Sequence, residues 1–188
     1  YLHDGSAASL SDAVRAHNNV SLSDTDLGQV VAYLQQIDGN EPSAPAPTTA
    51  GSGQIRREWW LGIGGYAVSS LTSSPNYPNS PSGSELLTSF EAPSNFAESF
   101  GARIRGYLHA PVTGEYRFWI AGDDYVQLFL SSDEHPANAQ MIAYVNGFTA
   151  SRQWDKYPTQ QSILITLQAG KKYYIESLHK EGGGGDNL

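Results

Sequence analysis

Hydrophobic and polar positions divide this chain into a stretch with helical spacing, a stretch with no apolar pattern, and a long stretch that alternates. Leu27, Val30, Val31, Leu34 and Ile37 recur three and four residues apart, which is the period of one helix face. Ser23 ahead of them is a natural N-cap, and Asp24 and Asp26 complement the positive end of the helix dipole. Gly39 fits the C-cap. A shorter helix is expected from about Leu10 to His17, capped by Ser9 or Ser11. Two short helices bury too little surface to fold alone, so their apolar face is expected to dock on another surface. Residues 40–53, NEPSAPAPTTAGSG, offer no large apolar side chain and read as a semi-rigid linker.

From Arg57 onward the period shortens to two. Arg103–His109, Glu115–Ile120, Tyr125–Leu130, Met141–Val145, Ser162–Leu167 and Lys172–Leu178 alternate and are rich in Val, Ile, Tyr and Phe, as strands are. Pro111–Gly114 and Ala169–Lys171 are turn sequences, each expected to join two of these strands into a hairpin. Short strands in succession predict a mainly β fold, an antiparallel sandwich or barrel. The predicted organisation is therefore a helical segment over 1–39, a linker over 40–53 and a β domain over 54–188. The polar stretch Thr72–Ser84 is a long loop, of a kind that is often functional.

Composition narrows the function. Four Trp, eleven Tyr and six Phe supply a core, while a net charge of −8 argues against nucleic acid and anionic membranes as partners. No apolar run is long enough to span a bilayer. The absence of Cys excludes disulfides, thiol catalysis, zinc fingers, iron–sulfur clusters and attachment of a c-type haem. A Cys-free chain rich in Tyr, Ser, Gly and Asn suits an exported bacterial protein in an extracellular, cell-surface or periplasmic setting. The start at Tyr1, without initiator Met or basic leader, reads as a mature or internal fragment. No nucleophile elbow is evident, so this chain is expected to bind and not to catalyse.

Two places carry candidate chemistry. Asp123 and Asp124 repel one another unless a cation or donors neutralise them; the alternative is a solvated turn. The run Glu181–Asn187 offers glycine carbonyls together with Asp186 and Asn187 as oxygen ligands; the alternative is a flexible tail. Tyr125, Phe148, Trp154 and Tyr157 could stack on sugar rings, whereas Trp59, Trp60 and Trp119 are assigned to the core. Arg103, Arg105 and Arg117 read as one polar sheet face, and His3 and His17 as surface or capping residues.

Four blocks in order resemble the PA-fourteen domain, named after a segment of anthrax protective antigen. They are Ile104–Leu108 with Ala110–Phe118, Ala121–Leu130, Leu167–Ile175 and Glu181–Leu188. In sugar-binding members of that family an Asp pair joined by a cis peptide holds a calcium ion, which in turn binds sugar hydroxyls. The resemblance implies a calcium-dependent carbohydrate-binding module. Its metal ligands would be Asp123, Asp124, Gly183, Gly184 and Asp186, and its sugar contacts Asp123, Asp124, Tyr125, Trp154 and Asn187. It also implies a further apolar strand after the glycine run. Residues 1–38 resemble, more weakly, the end of a cytochrome c or di-haem peroxidase-like domain, carried by Tyr1–Ser6, Leu10, Ala13, Val14, His17 and the Leu22–Leu34 helix. Haem would then belong only to an upstream domain of the same polypeptide. Two other functions stay open: a structural or assembly module without ligand, and the terminal fragment of a di-haem oxidoreductase.

Overall fold

A computed structural model describes residues 10–16, 22–31 and 52–188. The chain forms two compact units, Tyr1–Ala46 and Pro47–Leu188. In the first, helix α1 spans Leu10–Ala16 and helix α2 covers residues 24–31. Ser23 caps α2 as expected. Its Oγ accepts the Asp26 amide at 3.1 Å and its carbonyl accepts the Leu27 amide at 2.8 Å. Leu27 is buried, and Val30 and Val31 are half-buried. His3, His17, Leu34, Ile37 and all of the 40–53 linker except Ser52 and Gly53 lie outside the described residues.

The second unit is mainly β. Its strands are β1 (Ile55–Leu61), β2 (Gly83–Leu87), β3 (Phe100–His109), β4 (Gly114–Tyr116), β5 (Tyr125–Ser131), β6 (Ala139–Val145), β7 (Ile165–Leu167) and β8 (Lys172–Glu181), with a short helix α3 (Val68–Thr72). Six strands form an antiparallel sheet in the order β2-β1-β3-β8-β5-β6, and β4 pairs with β7 in a second, small sheet. The large sheet stays open at β2 and β6, so no closed barrel forms. Among the described residues no helix is long and apolar enough to cross a membrane.

Neither predicted hairpin turn joins partners within one sheet. The β3–β8 ladder ends at His109 opposite Lys172, and the β4–β7 ladder begins at Gly114 opposite Leu167. Both chains therefore leave the large sheet together and re-pair in the small one. The two crossings are stitched where the Ala169 amide donates to Thr113 Oγ1 at 3.0 Å. Between the sheets lies a core of Ile120, Val126, Leu128, Leu130, Val145, Leu167, Tyr173 and Ile175. The strand expected over Glu115–Ile120 keeps regular pairing only to Tyr116. Beyond it the partner chain has one extra residue before Trp119 meets Gln161, and Ser162 Oγ accepts the Phe118 amide at 3.0 Å.

Two further expectations, on Trp119 and on the arginines, are corrected, and the Thr72–Ser84 loop finds its place. Trp60 is buried, but Trp119 is 48% exposed, because it sits beyond the regular part of the small sheet. The Thr72–Ser84 loop packs as a cover: Trp60 Nε1 donates to the Asn76 carbonyl at 3.0 Å, and the Tyr77 ring lies 4.9 Å from the Trp60 ring. Arg103 and Arg105 converge on Glu58, whereas Arg117 bonds Gln161 in the second sheet's continuation. Burial of Glu58 works to raise its pKa, but the hydrogen bonds from Arg105 and Arg103 outweigh it and hold the carboxyl below its ordinary value.

Strand β8 positions the site. Its alternate residues Tyr173, Ile175, Ser177, His179 and Glu181 share one face with Ile104, Ala102 and Phe100 of β3. That face is apolar at the start of the strand and polar at its end, although every one of these positions is buried. The opposite face at the same end is covered by α3. There Leu71 packs so closely on Gly101 that a Cβ at Gly101 would stand 2.6 Å from Leu71 Cδ1.

Candidate functional site

Asp123 and Asp124 lie just before β5, and the peptide bond between them is cis. The backbone of Asp123 is held from several sides. Its amide donates to the Asn187 carbonyl at 2.9 Å, and its carbonyl accepts the Asn187 amide at 3.3 Å. The carbonyl also lies 2.6 Å from His179 Nε2. Burial lowers the His179 pKa to about 4, with the Arg57 and Lys180 charges adding to the effect against the hydrogen bond to Asp123. The ring is therefore neutral near pH 7, and Nε2 carries the proton that it donates to the carbonyl. Thr149 fixes the preceding residue: its amide donates to the Gly122 carbonyl at 2.8 Å, and its Oγ1 accepts the Gly122 amide at 2.8 Å.

The side chains of Asp123 and Asp124 converge with Glu181 from the end of β8. One oxygen from each of the three carboxylates lies within 4.8 Å of the others. Asp124 Oδ2 accepts the Gly182 amide at 3.0 Å. Glu181 is fully buried, and neither of its carboxyl oxygens makes a hydrogen bond of regular geometry; the Asp124 amide is the donor near it. Burial, then the charges of Asp124 and Asp123, push its pKa up to about 7. Burial and the Asp124 charge push Asp123 up to about 6. Lys180, the neighbouring cation, is also buried and gives its ammonium to the Glu181 backbone carbonyl. Burial lowers its pKa against the pull of Glu181 and Asp124.

The glycine run brings a different set of atoms than expected. Asp186 is buried, and its Oδ2 accepts the Phe96 amide at 2.6 Å and the Ala97 amide at 3.2 Å, so that oxygen pins the 93–99 loop. The Gly184 amide donates to Glu98 Oε2 at 2.8 Å, and Gly183 lies against the same oxygen. Asn187 Nδ2 donates to the Thr149 carbonyl at 3.0 Å and closes the loop on Asp123. Glu181 itself, first residue of that stretch, is the third carboxylate. Its signal was present in the sequence: it is in phase with Tyr173 and Ile175, and so on the core face.

The aromatic candidates separate. Phe148 bridges Asp123 through its backbone and is 56% exposed, with the Lys156 ammonium 3.5 Å from its ring centre. Tyr125 is half-buried at the start of β5, and Tyr157 is half-buried beside the core. Trp154 is 48% exposed and lines a depression of about 100 Å³ with Asn187, Leu188 and Phe90. It also borders an apolar groove of about 720 Å³ that includes Trp119.

A family model for the PA14 domain matches residues 87–187. Over 127 residues, 65% of the chain, the sequence is 32% identical to N-acetyl-beta-glucosaminyl-glycoprotein 4-beta-N-acetylgalactosaminyltransferase 1 of Mus musculus, 12% of which is covered. Over 84 residues, 45% of the chain, it is 42% identical to Fibrocystin-L of Homo sapiens, 2% of which is covered. The chain thus spans only a small part of these relatives. Among solved structures, the epithelial adhesin 6 A domain from Candida glabrata in complex with Galb1-3GlcNAc superposes with a TM-score of 0.46 and 16% identity, over 76% of this chain and 80% of that one.

Proposed function

The chain belongs to the PA14 domain family, and from that premise we propose that its β unit is a calcium-dependent carbohydrate-binding module. The observation that carries this reading is Glu181. A carboxylate with no exposed surface and no hydrogen bond of regular geometry, facing two more carboxylates, is a costly arrangement unless a cation occupies the space between them. The donor set is all oxygen and carries high negative charge, which fits a hard divalent ion such as calcium better than a soft one. Asp123, Asp124 and Glu181 would hold it, and Asp186 would act by fixing the neighbouring loop. Calcium there would supply positive charge and exchangeable positions for sugar hydroxyls.

The chain's own residues do the remaining work. His179 and Asn187 fix the Asp123 backbone, and Thr149 ties both Gly122 and Asn187 to it. The Gly182 amide orients Asp124. Asn187 and Trp154 border the approach to the Asp123 loop and are the nearest candidates for contacts to a longer glycan. The module acts as a binding accessory and not as a catalyst. Abundant extracellular calcium suits such a site, which supports an extracellular, cell-surface or periplasmic setting. The test is a glycan array probed with labelled full chain in millimolar calcium and again in EDTA. Binding to a defined glycan set that disappears in EDTA and in Asp124→Asn supports the proposal. Equal binding in both conditions, or no binding in calcium, refutes it.

A further inference from the structure

We propose that Asn146 is a site of spontaneous covalent modification: its side chain cyclises on the Gly147 amide and reopens as aspartate or isoaspartate, and the isoaspartate form loosens the clamp on the Asp123 loop. The chemistry stands by itself, whereas its effect on calcium rests on the metal reading above.

Asn146–Gly147 is the one Asn–Gly pair in the sequence. Glycine puts no side chain beside the nitrogen that must reach the asparagine side chain. A folded chain blocks the reaction where that nitrogen is tied up in a hydrogen bond. This holds after Asn76, Asn79, Asn95 and Asn138: the Tyr77 amide donates to the Ser74 carbonyl, Ser80 to the Asn76 carbonyl, Phe96 to Asp186 Oδ2 and Ala139 to the Pro136 carbonyl. It does not hold after Asn146. That residue is exposed in a bend just past β6. Among the described residues neither its side chain nor the Gly147 amide makes a hydrogen bond.

The reaction balances with water as its one co-reactant. The Gly147 nitrogen attacks Asn146 Cγ, and the N–Cγ bond forms as the Cγ–Nδ2 bond breaks. Ammonia leaves with the proton that the Gly147 nitrogen gives up. Both reacting atoms are held in one chain, so the five-membered closure is intramolecular. Water then opens the ring. Attack at Cγ restores the normal chain with an aspartate side chain. Attack at the main-chain carbonyl leaves the chain routed through Cβ and Cγ, with one extra main-chain atom and a free carboxylate.

That extra atom falls between two fixed points. On one side Val145 is fully buried and pairs with Val126. On the other, Phe148 bridges Asp123 and its carbonyl accepts the Lys156 ammonium at 2.7 Å. Thr149 donates its amide to the Gly122 carbonyl at 2.8 Å, accepts the Gly122 amide on Oγ1 at 2.8 Å, and accepts Asn187 Nδ2 on its carbonyl at 3.0 Å. A longer main chain across this two-residue link displaces one end. Val145 is locked in the close-packed core, so Phe148 and Thr149 shift, and the support of Gly122, Asp123 and Asn187 shifts with them.

The test ages the full chain in warm, mildly alkaline buffer beside Asn146→Gln, whose longer side chain closes a ring far more slowly. Peptide mapping separates asparagine, aspartate and isoaspartate forms, and calorimetry reads calcium affinity before and after. Freshly made Asn146→Asp carries the new charge on a normal backbone. The Asn146 peptide should convert, and those holding Asn76, Asn79, Asn95 and Asn138 should lag behind it. The isoaspartate fraction should bind calcium about 5-fold more weakly, the worth of one clamp hydrogen bond. Asn146→Asp and aged Asn146→Gln should stay within about 2-fold of the fresh parent. In EDTA the isoaspartate fraction should melt below the fresh protein. An Asn146 peptide left unchanged by an incubation that converts a short free peptide of the same sequence overturns the proposal. So does an equal loss of calcium affinity in aged Asn146→Gln, since the damage would then lie elsewhere. An isoaspartate fraction equal to fresh protein in calcium affinity and in EDTA melting overturns the clamp. If the fresh parent takes up no calcium, the calcium reading fails, and the peptide map and the EDTA melts still decide this proposal.

Discussion

Replacing Glu181 by Gln should move the stability of the metal-free and the calcium-bound protein in opposite directions. In the metal-free state the three carboxylates crowd within 4.8 Å, and a pair at that distance repels by about 3–4 kcal/mol at an effective dielectric of roughly 20. Burial first, and this repulsion after it, raise the Glu181 pKa from 4.5 to about 7. At pH 8 that shift means that the ionised side chain costs the metal-free fold roughly 3 kcal/mol. Gln removes the charge but leaves a buried amide unpartnered, at about 1–3 kcal/mol. The net result is a metal-free variant equal to the parent or more stable by about 1–2 kcal/mol. Calcium should stabilise the parent by about 2.7 kcal/mol at a concentration 100 times its Kd. For a unit of this size that is a rise in Tm of roughly 8–10 °C. Most of the rise should vanish in Glu181→Gln. The assay is thermal melting at pH 8 in EDTA and in excess calcium. An equal calcium shift in parent and variant, or a variant clearly less stable than the parent in EDTA, refutes the reasoning.

The same carboxylates set a pH dependence. Asp123 and Glu181 have folded-state pKa values of about 6 and about 7, above their ordinary values of 3.8 and 4.5. The stability they contribute without metal is complete below the ordinary range and is lost as pH rises through 6 and 7. The Tm of EDTA-treated protein should fall between pH 5 and pH 7.5 as these groups ionise, while calcium affinity measured by calorimetry should rise over the same interval. Asp186→Ala should cost about 2 kcal/mol in EDTA, since two half-buried amides lose their acceptor; denaturation without calcium measures this, and a variant impaired only in calcium would make Asp186 a ligand after all. Glu58→Gln should destabilise by about 3 kcal/mol, because Arg103 is left buried with only Glu176, 4.0 Å away, as a counter-charge. Since the Glu58 pKa is lowered, its contribution in the parent is present above the ordinary carboxylate range and fades as pH falls below it, which acid titration of the parent and variant would reveal.

How much was legible depends on whether each feature is local. The strands were readable because inward-facing apolar residues recur every second position, as in β3, β5 and β8. The Ser23 cap was readable for the same reason, its partners lying three and four residues away. The two turns misled because a turn sequence specifies a reversal and not the sheet in which the chain re-pairs. That depends on the joint crossing of segments 110–113 and 168–171, far apart in sequence. At the site, Asp123 and Asp124 stood out because adjacent carboxylates are locally unfavourable. The four glycines drew attention to their own carbonyls and to Asp186. Yet Asp186 Oδ2 meets the Phe96 and Ala97 amides, partners about ninety positions away that no spacing rule reveals. Glu181 was readable in principle from the alternation of β8, extended three steps past its apolar residues.

The central claim is that Asp123, Asp124 and Glu181 together hold calcium, and diffraction from crystals grown in calcium tests it most directly. The account predicts an anomalous peak bounded by all three carboxylates, with six to eight oxygens at roughly 2.3–2.6 Å, including solvent or sugar hydroxyls. Crystals grown in millimolar calcium that show no ion there, with Glu181 protonated and hydrogen-bonded to Asp123 or Asp124, would contradict it.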